Sequence, residues 1–191
     1  VSVLVRPEAA ADRAAVRRVV AEAFGDEGLL IVELLGALDA AGRSRVGLVA
    51  ELDGVVVGHV QLSQSWVDAR EALVEVLVLS PLSVAPAAQR RGVGTALLAA
   101  AVAAARATGV PAVFLEGSPD FYAARGWERG SAHGFTRPSA RIPDAAFQVV
   151  VFDSREPWMT GPLVYCDPFW ALDAVGLRDP LLAEIERTFD S

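Results

Sequence analysis

The stretch AQRRGVGTALL, residues 88–98, sets Gly92 and Gly94 immediately before an uncharged, alanine-rich run over 96–105. Glycine costs a helix about 1 kcal/mol relative to alanine, so a pair placed where a helix is about to start needs a reason. The first turn of a helix leaves backbone N–H groups unpaired and carries partial positive charge, and the two together attract anionic oxygen. Hydrogen bonding brings such oxygens to within about 3 Å of backbone nitrogen, an approach that a β-carbon obstructs. The spacing therefore predicts a diphosphate cradle at Gly92 and Gly94, with Gln89, Arg90 and Arg91 as further donors. A flexible loop with solvated arginines is the plain alternative.

Such a cradle needs a strand to deliver it and a helix to follow. The helix is expected over 91–108, closed by Gly109 with Pro111 beyond. ALVEVLVLSPLSV, 72–84, reads as the strand. Pro81 cannot donate a ladder bond, so a bulge or splay is expected there. Asp53-Gly54 lies between two β-branched runs and predicts a hairpin of strands over 46–52 and 55–63. Earlier, Val16, Val19, Val20 and Phe24 share a helical face within 8–24, and Leu30, Leu34, Leu35 and Leu38 do so within 29–38. A short strand over 2–6 precedes them. After the cradle come a strand over 112–116, a short helix in SPDFYAARGW, a strand over 146–152, and a tail rich in proline and aromatics that ends in a helix over 181–189. This order is an α/β fold with an antiparallel front half and one strand–helix–strand crossover. The expected organisation is one domain over 1–155 and an extension over 156–191 packed on it.

Composition removes several classes. All 17 basic residues are arginine, so a P-loop and a Schiff-base enzyme, which both need lysine, drop out. Cys166 is the sole cysteine, which excludes an internal disulfide and a thiolate-rich zinc site. His59 and His133 lie far apart, and no metal is expected. A net charge of −7 argues against a nucleic-acid partner and suits a cationic acceptor. The longest apolar run is about half a bilayer span, and no charged-then-apolar leader is visible. The expectation is a cytoplasmic protein with no membrane partner. A Rossmann dinucleotide site, and with it an oxidoreductase, fits poorly. Position 97 is Leu where that motif has its third glycine, seven residues (85–91) separate the strand end from Gly92, and three strands precede the motif.

The run V-A-P-A-A-Q-R-R-G-V-G-T-A-L-L, from Val84, resembles the acetyl-CoA signature of the GNAT acetyltransferases, [RQ]-x-x-G-x-[GA]. F-Y-A-A-R-G-W, 121–127, is similar to that family's [FL]-Y-x-x-x-G-[FWY] element, and one strand separates the two, as the family requires. The resemblance covers about residues 1–153, and GSPDFYAARGW, SAHGF and IPDAAFQVV look like a bacterial branch of it whose acceptors are mostly unassigned. It implies a GNAT-like mixed sheet whose strands ending at Val84 and Glu116 splay apart. Acetyl-CoA is the implied co-substrate. Its pantetheine arm would pair with the main chain of Leu82, Ser83 and Val84 as an added pseudo-strand. Amides of Gln89, Arg90, Arg91, Gly92, Val93, Gly94 and Thr95 would hold its diphosphate, with Arg90 in reach of the 3′-phosphate.

The resemblance also implies transfer of the acetyl group to a small-molecule or peptide amine. A backbone N–H near Val84 would stabilise the oxyanion, and Tyr122 matches the family's proton-donating tyrosine. The acid that several members carry six residues before the position of Val84 is here Val78. Glu116 is the first substitute base and His133 the second, with a buried water chain an equal possibility. The family's common Asn near the cofactor thiol has no counterpart, since the chain has no Asn. His59 reads as a sheet residue or as an acceptor-site group. Tyr122 and Glu116 also have structural readings, as a half-buried aromatic and as a cap or arginine partner. The aromatic tail, 158–170, fits a wrap over the sheet, an acceptor wall or a homodimer contact. A non-catalytic acyl-CoA sensor is the alternative to the enzyme.

Overall fold

The chain opens with strand β1 (Leu4–Pro7) and helices α1 (Arg13–Phe24) and α2 (Gly28–Ala40). Three long strands follow, β2 (Ser44–Leu52), β3 (Val55–Asp68) and β4 (Leu73–Val84), and then helix α3 (Val93–Ala107). The structure, a computed structural model, describes residues 2–189. Its contacts separate two units, one from Val1–Ser63 and Leu79–Thr108, the other from Gln64–Val78 and Gly109–Ser191. Strands β3 and β4 run through both.

In the first unit the strand order is β1-β2-β3-β4. Asp53 and Gly54 take φ of 51° and 78°, the positive pair that a tight turn between β2 and β3 requires. Val49 lies opposite His59 and Ala50 opposite Gly58. Successive strand residues face opposite ways, so Val49 and His59 share one face and Gly58 presents the other. On the Val49 face, Val16, Val19 and Val20 of α1 bury themselves with Val49 and Val56, backed by Phe24, Val32 and Leu35. Of these helix residues the 3.6-residue spacing selects all but Val32, and Leu30, which it also places on that face, is exposed. On the other face α3 comes close. A β-carbon on Gly58 would stand 2.8 Å from Leu97 Cδ1 and 2.9 Å from Val93 Cγ1. Arg6 ties the start of α1 to β2: it donates to both carboxylate oxygens of Asp12 (2.7 and 2.9 Å) and to Glu51.

The second unit adds β5 (Ala112–Glu116), α4 (Pro119–Tyr122), β6 (Glu128–Arg129), β7 (Phe135–Thr136), β8 (Phe147–Val151), β9 (Gly161–Val164), α5 (Asp167–Ala171) and α6 (Leu181–Phe189). Its order is β4-β5-β8-β6, with β4 and β5 parallel. The core is aromatic: Phe114 stacks on Phe147 at 5.6 Å and meets Phe135 edge-on at 4.8 Å. The β4–β5 ladder consists of Leu77↔Val113 and Val78↔Phe114, while β4 itself continues to Val84. Pro81, within β4, follows a cis peptide bond.

The structure departs from the sequence reading in three places. Strand β3 does not stop at Ser63 but reaches Asp68, because Trp66 and Val67 pair with Val164 and Leu163 of β9. The helix expected from residue 8 begins at Arg13, after a short 3-10 turn. Strands β6, β7 and β9 have two to four residues each, too few to show a period. The tail folds onto its own unit, with Tyr165, Cys166 and Phe169 buried.

Candidate active site

Buried Ala88 and Val93 pin the two ends of the loop between β4 and α3. Ala85 N–H donates to Val57 O at 2.8 Å, and a 3-10 turn over Pro86–Ala88 follows. Gln89 spends its amide on Pro86 O (3.3 Å) and its side-chain Nε2 on Val84 O (3.2 Å). Its donors therefore shape the loop from within. Arg90 and Gly92 then take φ of 59° and 82°. A left-handed arginine is strained by about 1–2 kcal/mol, and such residues turn neighbouring N–H groups toward one side, as in anion-binding nests. The intrahelical ladder begins with Ala96 N–H on Gly92 O at 3.0 Å, which leaves the amides of Val93 and Gly94 ahead of it.

Among the described residues, the amides of Arg90, Arg91 and Gly92 donate to no backbone carbonyl. A β-carbon on Gly92 would meet nothing within 4 Å. Two exposed arginines, unpaired main-chain donors and the N-terminus of a 15-residue helix thus surround open space. That donor set fits a diphosphate. On β4, Leu82 and Val84 are half-buried and Ser83 is buried, its Oγ without a partner among the described residues.

The second unit holds the proton-transfer candidates. Gly117 stands where a β-carbon would come within 2.3 Å of Tyr122 Cε2, so only glycine admits the ring there. Phe121 and Trp127 meet that ring at 4.9 and 6.0 Å. Burial raises the Tyr122 hydroxyl above its ordinary pKa, against a smaller lowering by the Arg125 charge. The hydroxyl therefore keeps its proton at neutral pH. Glu116 accepts from Tyr165 Oη (2.8 Å, at Oε1) and from Gly176 N–H (3.0 Å, at Oε2). Desolvation pushes its carboxyl above the usual range, although both hydrogen bonds and Arg141 pull the other way. Glu116 lines a cavity of about 560 Å³ together with Ser118, Asp120, Arg141 and Ile142.

Sequence reasoning placed Glu116 at a strand end but missed its two partners, which lie about 50 and 60 residues away. His133 pairs with Glu128, and His59 with Glu8. Val78, at the position of the family's acid, is 1% exposed. Among the described residues no group of three or more His, Cys, Asp or Glu is arranged to hold a metal, and no helix is long and apolar enough to cross a membrane.

A mixed sheet, antiparallel in front, whose fourth strand feeds a glycine-marked helix N-terminus, is the fold of acyl-CoA-dependent N-acetyltransferases. The chain belongs to the acetyltransferase (GNAT) family, whose model matches residues 14–127. It is 30% identical over 163 residues to the uncharacterized N-acetyltransferase YjhQ of Escherichia coli (strain K12), covering 82% of this chain and 88% of that one. Its fold is similar to the GNAT family N-acetyltransferase YhbS of Escherichia coli, solved with CoA: TM-score 0.76, 24% identity, 87% of this chain and 91% of that one. A GNAT family acetyltransferase of Brucella melitensis, solved with acetyl-CoA, is 29% identical with a TM-score of 0.70, covering 88% and 98%.

Proposed function

We propose that the protein transfers the acetyl group of acetyl-CoA to a primary amine by direct attack, with both substrates bound together. The observation that carries this reading is the loop after β4, with its unpaired amides at Arg90, Arg91 and Gly92 ahead of α3. The solved relatives that hold CoA or acetyl-CoA support it. Amides from Arg90 to Thr95 bind the diphosphate, and Arg90 and Arg91 add charge to it. Main-chain groups of Leu82, Ser83 and Val84 align the pantetheine arm. Acetyl-CoA supplies a thioester.

In the transfer, an N–C bond forms and the C–S bond breaks; one proton leaves the amine and one arrives at sulfur. Tyr122 Oη gives the proton to sulfur; burial raises its pKa, so the hydroxyl carries that proton at neutral pH. Glu116 takes the proton from the amine. Its raised pKa suits that task, because a base works best with a pKa near the working pH. The acceptor is a small-molecule or peptide amine, in keeping with the net charge of −7.

A second reading, an acyl-CoA sensor without turnover, is favoured by buried Val78 at the position of the family's acid. One pair of measurements decides. Calorimetric titration with acetyl-CoA is expected to give a Kd of about 1 μM to 100 μM, and Gly92→Trp to abolish it. Unchanged binding in that variant refutes the cradle. Free-thiol release across an amine panel supports the transferase, and intact binding with no release supports the sensor.

A further inference from the structure

We propose that the first unit carries a separate small-molecule site, enclosed by α1, α2 and β3, that binds a zwitterion bearing a primary ammonium and a carboxylate. The cavity has a volume of about 270 Å³, just under the roughly 300–1,000 Å³ of pockets for drug-sized ligands. It suits a molecule of amino-acid size. Val32 and Leu35 give it an apolar wall, and polar groups enter from three elements.

One polar group is a buried pair. His59 is wholly buried, and its Nε2 lies 3.0 Å from Glu8 Oε2. With a proton on Nε2 donated to that carboxylate, Nδ1 is left as a lone pair, and among the described residues it has no partner. Gln61 directs its Nε2 to Leu62 O at 3.0 Å, so its Oε1 remains an acceptor. Glu8, His59 and Gln61 all line the cavity. A carboxylate from the segment just after β1 and an amide oxygen from β3 thus border one cavity. Acceptors gathered around one anionic group match an ammonium, which has three donors and no lone pair.

Positive charge enters from the other side. Arg13 and Arg17 line the same cavity one turn apart on α1, and neither forms an ion pair among the described residues. They repel an isolated ammonium but bind a carboxylate carried on the same molecule. Asp39, also in the wall, is engaged by the Ser44 hydroxyl.

The wall is also kept open at a cost to the helix. Gly36 lies within α2 and lines the cavity, and a β-carbon on it would meet nothing within 4 Å. Glycine there costs about 1 kcal/mol against alanine, yet packing does not demand it. A cavity held for a ligand explains both the glycine and the unpartnered imidazole nitrogen.

The test uses the full chain and ω-amino acids from glycine to 6-aminohexanoate as calorimetric probes, with propylamine and propionate as half-ligands. At least one amino acid is expected to bind with a Kd of about 1 mM or tighter, and each half-ligand at least ~10-fold more weakly. Gly36→Leu is expected to melt no lower than the parent and to lose the binding. Glu8→Gln is expected to weaken it at least ~10-fold. No binding by any member of the series, half-ligands that bind equally well, or binding that survives Gly36→Leu each overturns the proposal. Acetyl-CoA titrated into the same variants reports on the cradle separately, so failure here and failure of the transferase reading are distinguishable.

Discussion

Gly117 is the residue on which the placement of Tyr122 depends, because a methyl group there would stand 2.3 Å from the ring. Gly117→Ala is expected to leave acetyl-CoA affinity within about twofold while lowering kcat at least ~10-fold, an asymmetry that steady-state kinetics resolves. Glu116→Gln separates a base from an anchor. Loss of a general base costs about 10²–10⁴-fold and removes the acidic limb of the pH–rate profile. Loss of an anchor lowers the melting temperature and leaves that limb in place. Tyr165→Phe is the control, since it removes only the hydroxyl that donates to Glu116. Residue types and spacing made Gly92 and Arg90 legible as candidates, and the family resemblance did so for Tyr122. The partners of Glu116 and His59 were not legible, because each contact joins residues about 50 or more positions apart.

At the scale of elements, α3 matters because it carries the proposed cradle at its N-terminus. Its seat is the gap left by Gly58, where a β-carbon would strike Leu97 and Val93 at 2.8 and 2.9 Å. Gly58→Val is therefore expected to cost about 1–3 kcal/mol, seen as a lower denaturant midpoint at unchanged m-value. It is also expected to weaken acetyl-CoA binding, because the helix must shift to accommodate the side chain. The hairpin and α3 were readable because their signals are local: two positive-φ residues between β-branched runs, and a glycine-marked start with Gly109 as the stop. The pairing of Glu128 with Val149, or of Trp66 with Val164, has no local signal. Those strands exist because a distant edge offers hydrogen bonds.

For the whole molecule, ligand and pH give two readouts. Acetyl-CoA at 100 times its Kd adds about 2.7 kcal/mol, or about 5–10 °C in Tm for a chain of this size. Gly92→Trp is expected to lose that shift. Asp12, held by Arg6, has its pKa lowered from 3.8 to about 2. Its contribution is present above pH 3.8 and lost as pH falls through about 2. Asp12→Asn should flatten that acid limb in a melting series. Glu116 has the opposite sign. Its pKa is raised from 4.5, so its contribution is fully present below 4.5 and lost as pH rises through the folded value. The sequence by itself determined the α/β order and the family resemblance and pointed to the proposed cradle, because helix periodicity, turn chemistry and anion-binding backbone are properties of a few adjacent residues. Only the tertiary structure decided that Glu8 meets His59, that the tail supplies Tyr165 to Glu116, and that β3 runs on to receive β9. Long-range pairing depends on which surfaces remain unsatisfied once the local elements have formed, and that information is spread over the whole chain.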